Sequence, residues 1–553
     1  MYMAINWGVF EMGARSSLGS ASATGTRIRF ATDPMPTGIC PVCVEECPVL
    51  CEISKSALRG RETLYPRADW FGKTVIASNK YYGIDWADLQ LMSDVRKEAT
   101  FPEEFRDPDK AIFENVRIGV EVGYKYKIKL RVPVIIAGLG STFVAKNNWE
   151  HLAAGAAISG TIVTVGENVC GVDPDSIISN GKVQKSPDME FRIKAYRDWW
   201  DGEHGDIIVQ TNVEDQRLGV DIYVLTKLEV NGIERKWGQG AKSIGGEIRV
   251  RDLRRAMELK RRGYIVLPDP EDPAVQEAWK TGAIESFERH SRLGMPTIED
   301  FCEDVDKLRE QGAKIVTLKM GQYRPAVIAW SLKAASEAKV DYVTYDGQGG
   351  GTGMSPWPMM LEMGTPTLYM LSFVIKAARI LDKKGKYVPD IFIAGGIINE
   401  TQILKAMALS GFPDKDRPYV VGAAVAKPAL TAAMKAKYFA RLAKEGRLSK
   451  VAPEFTKLYG DKFESIFAVA GDLRKRFGDK WKEIPPGGIG IYSYFVDRIG
   501  TGLKQLLAGM RKFNIMLVKR SDVAALTERA AKIFEIPLLE DLDKELFEAI
   551  LDS

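Results

Sequence analysis

Nothing in this sequence points to a membrane span, an export signal or a disulfide scaffold, and each absence narrows the reading. No apolar run approaches the ~18 residues expected of a bilayer-crossing helix. The nearest, from Leu368 to Ile380, is broken by Lys376. The N-terminus has no basic flank leading into an apolar core, so no secretory signal is expected and the protein is expected to stay in the cytoplasm. Only six cysteines occur in 553 residues, too few for a disulfide framework. An excess of one charge is also missing. The 77 basic and 73 acidic residues leave +4, which gives no global field to attract nucleic acid. Local basic runs such as Arg474–Arg476 and Arg251–Arg255 read as solvated helix faces.

What is present is uneven. Four of the cysteines, Cys40, Cys43, Cys47 and Cys51, fall within twelve residues as C-P-V-C-V-E-E-C-P-V-L-C. Thiolates this dense repel one another and oxidise unless a soft centre holds them. A [4Fe–4S] cubane accepts four thiolates from one compact turn, although the middle gap here is one residue longer than in the ferredoxin run. Zinc is the competing metal, but it usually takes two separated pairs. Cys170 and Cys302 stand alone and read as packing residues.

From about Val132 short apolar runs alternate with longer helical patterns, the signature of βα units on a parallel sheet. Eight strands are expected: 132–137, 161–165, 206–210, 233–237, 314–319, 342–345, 390–394 and 419–421. Helical patterns lie at 149–158, 253–262, 298–311, 325–338, 365–381, 400–409 and 427–444. Eight such units predict a (β/α)8 TIM barrel over residues 131–446. It is preceded by an N-terminal arm and Cys-rich segment (1–130) and followed by a C-terminal helical extension (447–553), which ends in an acidic amphipathic tail from Glu540. The stretch 262–297 is long for a loop and reads as an insertion near the active-site face.

Glycine marks the candidate ligand site. Gly347–Gly353, G-Q-G-G-G-T-G, follows the sixth strand and includes Gly350, Gly351 and Thr352. Glycine lets backbone approach a flat or anionic ligand closely. Gly395-Gly396 closes the seventh strand and Gly422-Ala423-Ala424 the eighth. In TIM barrels the loops after strands 7 and 8, with a helix N-terminus, commonly build a phosphate site. Tight turns without a ligand are the plainer alternative. No G-x-G-x-x-G fingerprint for a nicotinamide cofactor follows a strand.

These residues, in this order, resemble the FMN-binding domain of the glutamate synthase family over roughly 130–440. Lys236-Trp237-Gly238-Gln239-Gly240-Ala241-Lys242 resembles its Q-G-A-K segment, with Gly245-Gly246 following. Gly350-Gly351-Thr352-Gly353-Met354-Ser355-Pro356 resembles its G-G-T-G-A-S-P loop. Gly166-Glu167 resembles part of T-G-E-G-G, Lys319 the lysine of its K-L-V strand, and Ile298-Glu299-Asp300 its I-E-D helix start. The resemblance implies FMN, with Gly138 and Ser141 of the first-strand loop against the flavin and its phosphate at Gly395, Gly396 and Gly422–Ala424. It further implies Lys319 beside the N1–C2 edge, Lys242 anchoring an anionic substrate group, Gln239 donating a hydrogen bond, and Glu167 binding an amino or imino group or relaying a proton. The family's His and Asp before G-G-T-G are replaced by Gly347-Gln348-Gly349. Its three-iron cluster cysteines are absent, and Met1-Tyr2 offers no glutaminase nucleophile.

The expectation is an FMN- and Fe–S-dependent oxidoreductase. Electrons would come from a ferredoxin-like donor or partner redox subunit and act on an imine or 2-oxo acid, or in reverse on an amine. A homo-oligomer is compatible with the sequence. Two other classes fit it as well: an electron-transfer subunit of a larger complex without its own small substrate, and a zinc-stabilised non-catalytic barrel.

Overall fold

The eight expected strands form a closed parallel barrel in chain order. They are β1 (Val134–Leu139), β2 (Val163–Val165), β3 (Ile207–Thr211), β4 (Gly232–Lys236), β5 (Ile315–Met320), β6 (Tyr342–Asp346), β7 (Asp390–Ala394) and β8 (Val420–Val425), with β8 pairing back onto β1. The computed structural model describes residues 43–47, 51–60, 82–96, 105, 107–240, 248–349, 359 and 363–552. The strands are buried on both faces because helices cover them outside and side chains fill them inside, hence their near-continuous apolar runs. Helix starts are set locally. Thr297 accepts from the Asp300 amide to open helix Ile298–Glu310, Asn399 and Gln402 form a capping box on Glu400–Leu409, and Pro325 takes the first helical position of Pro325–Glu337.

Two sequence expectations are corrected. Strand β8 runs on to Val425, so Gly422 lies at mid-strand rather than at the end. A Cβ there would meet the Pro133 carbonyl oxygen at 2.3 Å and the Phe392 ring at 3.0 Å. The second correction concerns the insertion between β4 and β5. Helix Leu253–Arg261 is not a barrel helix but part of that insertion. With helix Pro273–Lys280 it accompanies a three-stranded antiparallel sheet of Ile248–Val250, Ile265–Leu267 and Phe287–His290, the last in the middle. The stretch 262–297 therefore carries regular structure and a small core of its own around Leu259, Tyr264 and Phe287. The sequence hid this because its strands are only three or four residues long.

The flanking segments pack on the barrel. A hairpin, Val120–Val122 with Ile128–Leu130, closes the N-terminal face, where the Gly123 and Tyr124 amides donate to Asp390 and Asp341. Strand Leu89–Leu91 pairs antiparallel with Val523–Ala525, tying segments far apart in sequence. Helix Pro486–Tyr492 packs between helices Trp149–Ser159 and Lys427–Lys444, and one hydrophobic core runs from Ile53 to Ile536. No helix among the described residues is long and apolar enough to cross a membrane.

Candidate functional site

The C-terminal ends of β1–β8 form a polar mouth above an apolar floor. Strand alternation sends Glu234 and Lys236 of β4, and Thr317 and Lys319 of β5, into the barrel side by side. Lys319 is 5% exposed, and its Nζ lies 3.2 Å from Oδ2 of Asp346 at the end of β6. Lys236 donates to Oε1 of Glu167 at 2.7 Å and to Oε1 of Gln239 at 2.9 Å. One residue pair below, the Gln210 amide donates to Oε1 of Glu234 at 2.6 Å. Burial holds the Glu234 carboxyl above its usual range, opposed by the charge of Lys319 and the Gln210 bond. Among the described residues the buried oxygens Oε1 of Gln210, Oγ1 of Thr317 and Oγ1 of Thr344 meet no hydrogen-bond partner. Polar atoms left unsatisfied in a dry interior are costly, so this row is built for ligand or water contacts.

Glycines bring the loops to this mouth. At Gly138 a Cβ would meet the Gln210 amide group at 2.9 Å, and at Gly140 it would meet the Glu167 carbonyl oxygen at 2.5 Å. The loops after β1 and β2 thus lie backbone to backbone. Gly395 and Gly396 adopt φ of 110° and 84°, and a Cβ on Gly395 would sit 2.3 Å from the Gly347 carbonyl oxygen. The Thr367 hydroxyl, 2.7 Å from the Gly395 carbonyl and 3.0 Å from that of Gln348, ties the β6 and β7 loops together. Helix Lys427–Lys444, directly after β8, starts without a side-chain cap. Its first amide groups are a natural anion-binding end.

The insertion reaches over the same mouth. Its buried Arg289 lies over the Tyr264 ring at 4.9 Å and approaches Ser141 Oγ at 3.4 Å, while the Asn212 amide meets Ser291 Oγ at 3.3 Å. Asp215 beside it accepts amide hydrogens from Asn168 and Asn212 and is fully enclosed. Burial pushes its carboxyl up to about 7.

The mouth therefore gathers Gly138, Ser141, Glu167, Gln239 and Lys319, with Gly395 and Gly396 at the ends of the strands beside them. Gly422 faces the barrel interior at mid-strand, and Ala423 and Ala424 lie within β8 rather than in its loop. Lys242, Gly350, Gly351, Thr352 and Cys40 lie outside the described residues. Sequence reasoning gave no role to Lys236, Gln210, Glu234, Asp346 or Arg289. The signal for the first four was their position at or near strand C-terminal ends on the inward phase; Arg289 had none.

Cys43 and Cys47 flank a turn docked outside the barrel on helix Lys427–Lys444. The Nζ of buried Lys435 donates to the Val44 and Cys47 carbonyls at 2.8 Å, and Lys437 pairs with Glu45. Cys51 precedes helix Glu52–Arg59, which packs on the same helix. Among the described residues no group of three His, Cys, Asp or Glu side chains is set to hold a metal.

A closed (β/α)8 barrel with a buried polar mouth at its strand C-termini, overhung by a β4–β5 insertion, is the class of protein this chain represents. Residues 283–411 match the model described as the conserved region in glutamate synthase. Among curated proteins, the archaeal-type glutamate synthase [NADPH] of Thermotoga maritima is 24% identical over 352 residues, 62% of this chain and 58% of that protein. That of Thermotoga neapolitana is 25% identical over 303 residues, 53% and 48% respectively. Over these stretches the chain is similar to the glutamate synthase family, and it spans about half the length of these curated relatives. Among solved structures, the recombinant flavin-binding domain of baker's yeast flavocytochrome b2 superposes with a TM-score of 0.44 at 12% identity, over 84% of this chain and 81% of that one. Likeness at that level says nothing about chemistry.

Proposed function

We infer that this protein is an FMN-dependent oxidoreductase acting on the carbon–nitrogen centre of a small anionic substrate. Either an imine or 2-oxo acid is reduced, or an amine is oxidised. The observation that carries the reading is the cluster of Lys319, Lys236, Glu167 and Gln239 in the mouth of a barrel similar to this family's. Catalytic groups of TIM barrels gather on this face. The residues fit the cofactor: positive-φ Gly395 and Gly396 and the uncapped helix at Lys427 suit a phosphate, and the unpartnered oxygens of Gln210, Thr317 and Thr344 suit a polar ring system.

The flavin, when bound, supplies the two-electron chemistry. Lys319 sets a cation where negative charge accumulates on reduction. Glu167, held by Lys236, binds the substrate nitrogen or moves its proton, and Gln239 and Lys242 orient the substrate's anionic group. Cys40, Cys43, Cys47 and Cys51 would hold a [4Fe–4S] cluster, which would supply one-electron relay chemistry between the flavin and a ferredoxin-like donor or partner redox subunit in the cytoplasm. The turn between Cys43 and Cys47 is anchored by Lys435 to the helix that follows β8.

The test is anaerobic purification, then identification of the chromophore released on denaturation, with iron and acid-labile sulfide assays. FMN with iron and sulfide is expected, and Cys47→Ser should lose the iron while keeping the flavin. Release of FAD, or of no flavin from folded protein, overturns the flavin assignment. Stoichiometric zinc without sulfide overturns the cluster.

A further inference from the structure

The loop after β7 is held from the C-terminal extension. A π-turn, Ser493–Ile499, separates helix Pro486–Tyr492 from helix Gly500–Gly509. Such turns are rare, and they commonly sit at functional positions. The wider i→i+5 winding brings residues four apart nearly one above the other, so Tyr494 and Arg498 form one row and Ser493 and Asp497 the next. The second row seats the turn on helix Glu52–Arg59. The Ser493 hydroxyl donates to the Ser56 carbonyl at 2.9 Å, and a Cβ on Gly60, just past that helix, would strike the Asp497 carboxylate.

The first row faces the β7 loop. Tyr494 is 1% exposed, and its hydroxyl donates to the Ile398 carbonyl at 2.5 Å. Arg498 donates to Oε2 of Glu400 at 2.5 Å, a pair with side-chain exposures of 5% and 9%. Gly502 leaves room for that carboxylate, since a Cβ there would lie 2.8 Å from its carbon. Both contacts fall just beyond Gly395 and Gly396. At the near end of the loop Thr367 fixes the Gly395 carbonyl. A trans peptide is planar, so this turns the Gly396 N–H to the opposite side. At the far end Tyr494 fixes the Ile398 carbonyl, while Oε1 of Gln402 accepts the Ile398 and Asn399 amides. Glu400 then opens helix Glu400–Leu409. A carboxylate suits a helix N-terminus but repels a second anion placed nearby.

We propose that Tyr494 and Arg498 of the C-terminal extension position the β7 loop for the flavin phosphate, Tyr494 by fixing the loop's backbone and Arg498 by cancelling the Glu400 charge beside it. This rests on the FMN reading above. Both residues act through the loop, and they make the extension part of the phosphate site.

A flavin titration of the full chain, stripped of bound flavin, tests this with FMN and with riboflavin, which lacks the phosphate. Tyr494→Phe should raise the FMN Kd about fivefold, the worth of one buried hydrogen bond. Arg498→Met should raise it about tenfold or more, because it leaves Glu400 charged beside the phosphate. Adding Glu400→Gln to Arg498→Met should recover most of that loss, and Arg498→Lys should stay near the parent value. The riboflavin Kd should change less than about twofold in every variant. FMN and riboflavin affinities that fall together overturn the proposal, since a merely structural role loosens both. So does an FMN Kd unmoved in Tyr494→Phe and Arg498→Met, or the absence of recovery on adding Glu400→Gln. A parent chain that binds neither flavin overturns the FMN reading and this proposal with it.

Discussion

Lys236 and Glu167 hold each other across strand β3. The ammonium at the end of β4 lies 2.7 Å from a carboxylate carried just past β2, with side-chain exposures of 5% and 11%. Gln239, three residues further on, accepts from the same ammonium at 2.9 Å. The Glu167 carboxylate is thus set by a lysine whose own place is fixed by the phase of β4.

Lys236→Met removes both the charge and the donor from this buried pair, whereas Glu167→Gln removes one charge but keeps an acceptor on the ammonium beside Gln239. Lys236→Met should cost roughly 2–4 kcal/mol of stability in urea unfolding, since breaking one side of a buried pair is expensive. Glu167→Gln keeps an acceptor facing Lys236 and should cost under about 1 kcal/mol. In turnover the order reverses in meaning. If Glu167 carries the proton as proposed, Glu167→Gln should lower kcat at least about tenfold with bound flavin retained. Equal and small effects of both changes on kcat would remove Glu167 from the mechanism.

Lys319 and Lys242 should separate cleanly. Lys319→Met removes a buried cation from the mouth and should lower the flavin's midpoint potential by about 30–60 mV, the equivalent of roughly 1.4–3 kcal/mol for a two-electron couple. Lys242→Ala should raise the substrate KM and leave the potential unchanged. A redox titration and steady-state kinetics on both variants check the pair. An unmoved potential in Lys319→Met contradicts the placement of Lys319 beside the ring.

Gly395 joins the β6 and β7 loops at a φ of 110°, with the Gly347 carbonyl oxygen 2.3 Å from where a Cβ would stand. Gly395→Ala meets both strain and collision, which together should cost about 2–4 kcal/mol. With the FMN phosphate on this loop, as proposed, FMN retention on dialysis should fall along with the melting temperature. Gly385→Ala, at a φ of 67° with open space around it, should show only the smaller backbone cost and keep its flavin.

His151 gives the fold a pH dependence. Its Nδ1 accepts the Gly487 amide at 3.1 Å, and burial, aided by Lys437, lowers its pKa to about 4. The unfolded chain protonates near 6.5, so the stabilisation is complete above pH 6.5 and is lost as pH falls toward 4. Between pH 7 and pH 5 this group should remove about 2 kcal/mol. His151→Asn, with an amide oxygen near the Nδ1 position, should flatten that part of the stability profile. Urea titrations at both pH values measure it, and parallel profiles for the two proteins would falsify the assignment.

The barrel was legible from sequence because strand runs and helix periods are local signals, repeated eight times, and helix Glu400–Leu409 matched to the residue. The insertion was not, since three- and four-residue strands carry almost no periodic signal. The sequence alone determined the alternation that turns Lys236 and Lys319 inward, the glycines that let the loops touch, and the four closely spaced cysteines. Tertiary structure alone decided that Lys236 meets Glu167, that Gln210 meets Glu234, and that Arg289 comes to lie over the mouth from an insertion 148 residues away from Ser141. The reason is barrel closure. A strand's own residues fix which way a side chain faces, but which side chain lies opposite depends on the register of neighbouring strands, and that exists only once β8 has paired with β1.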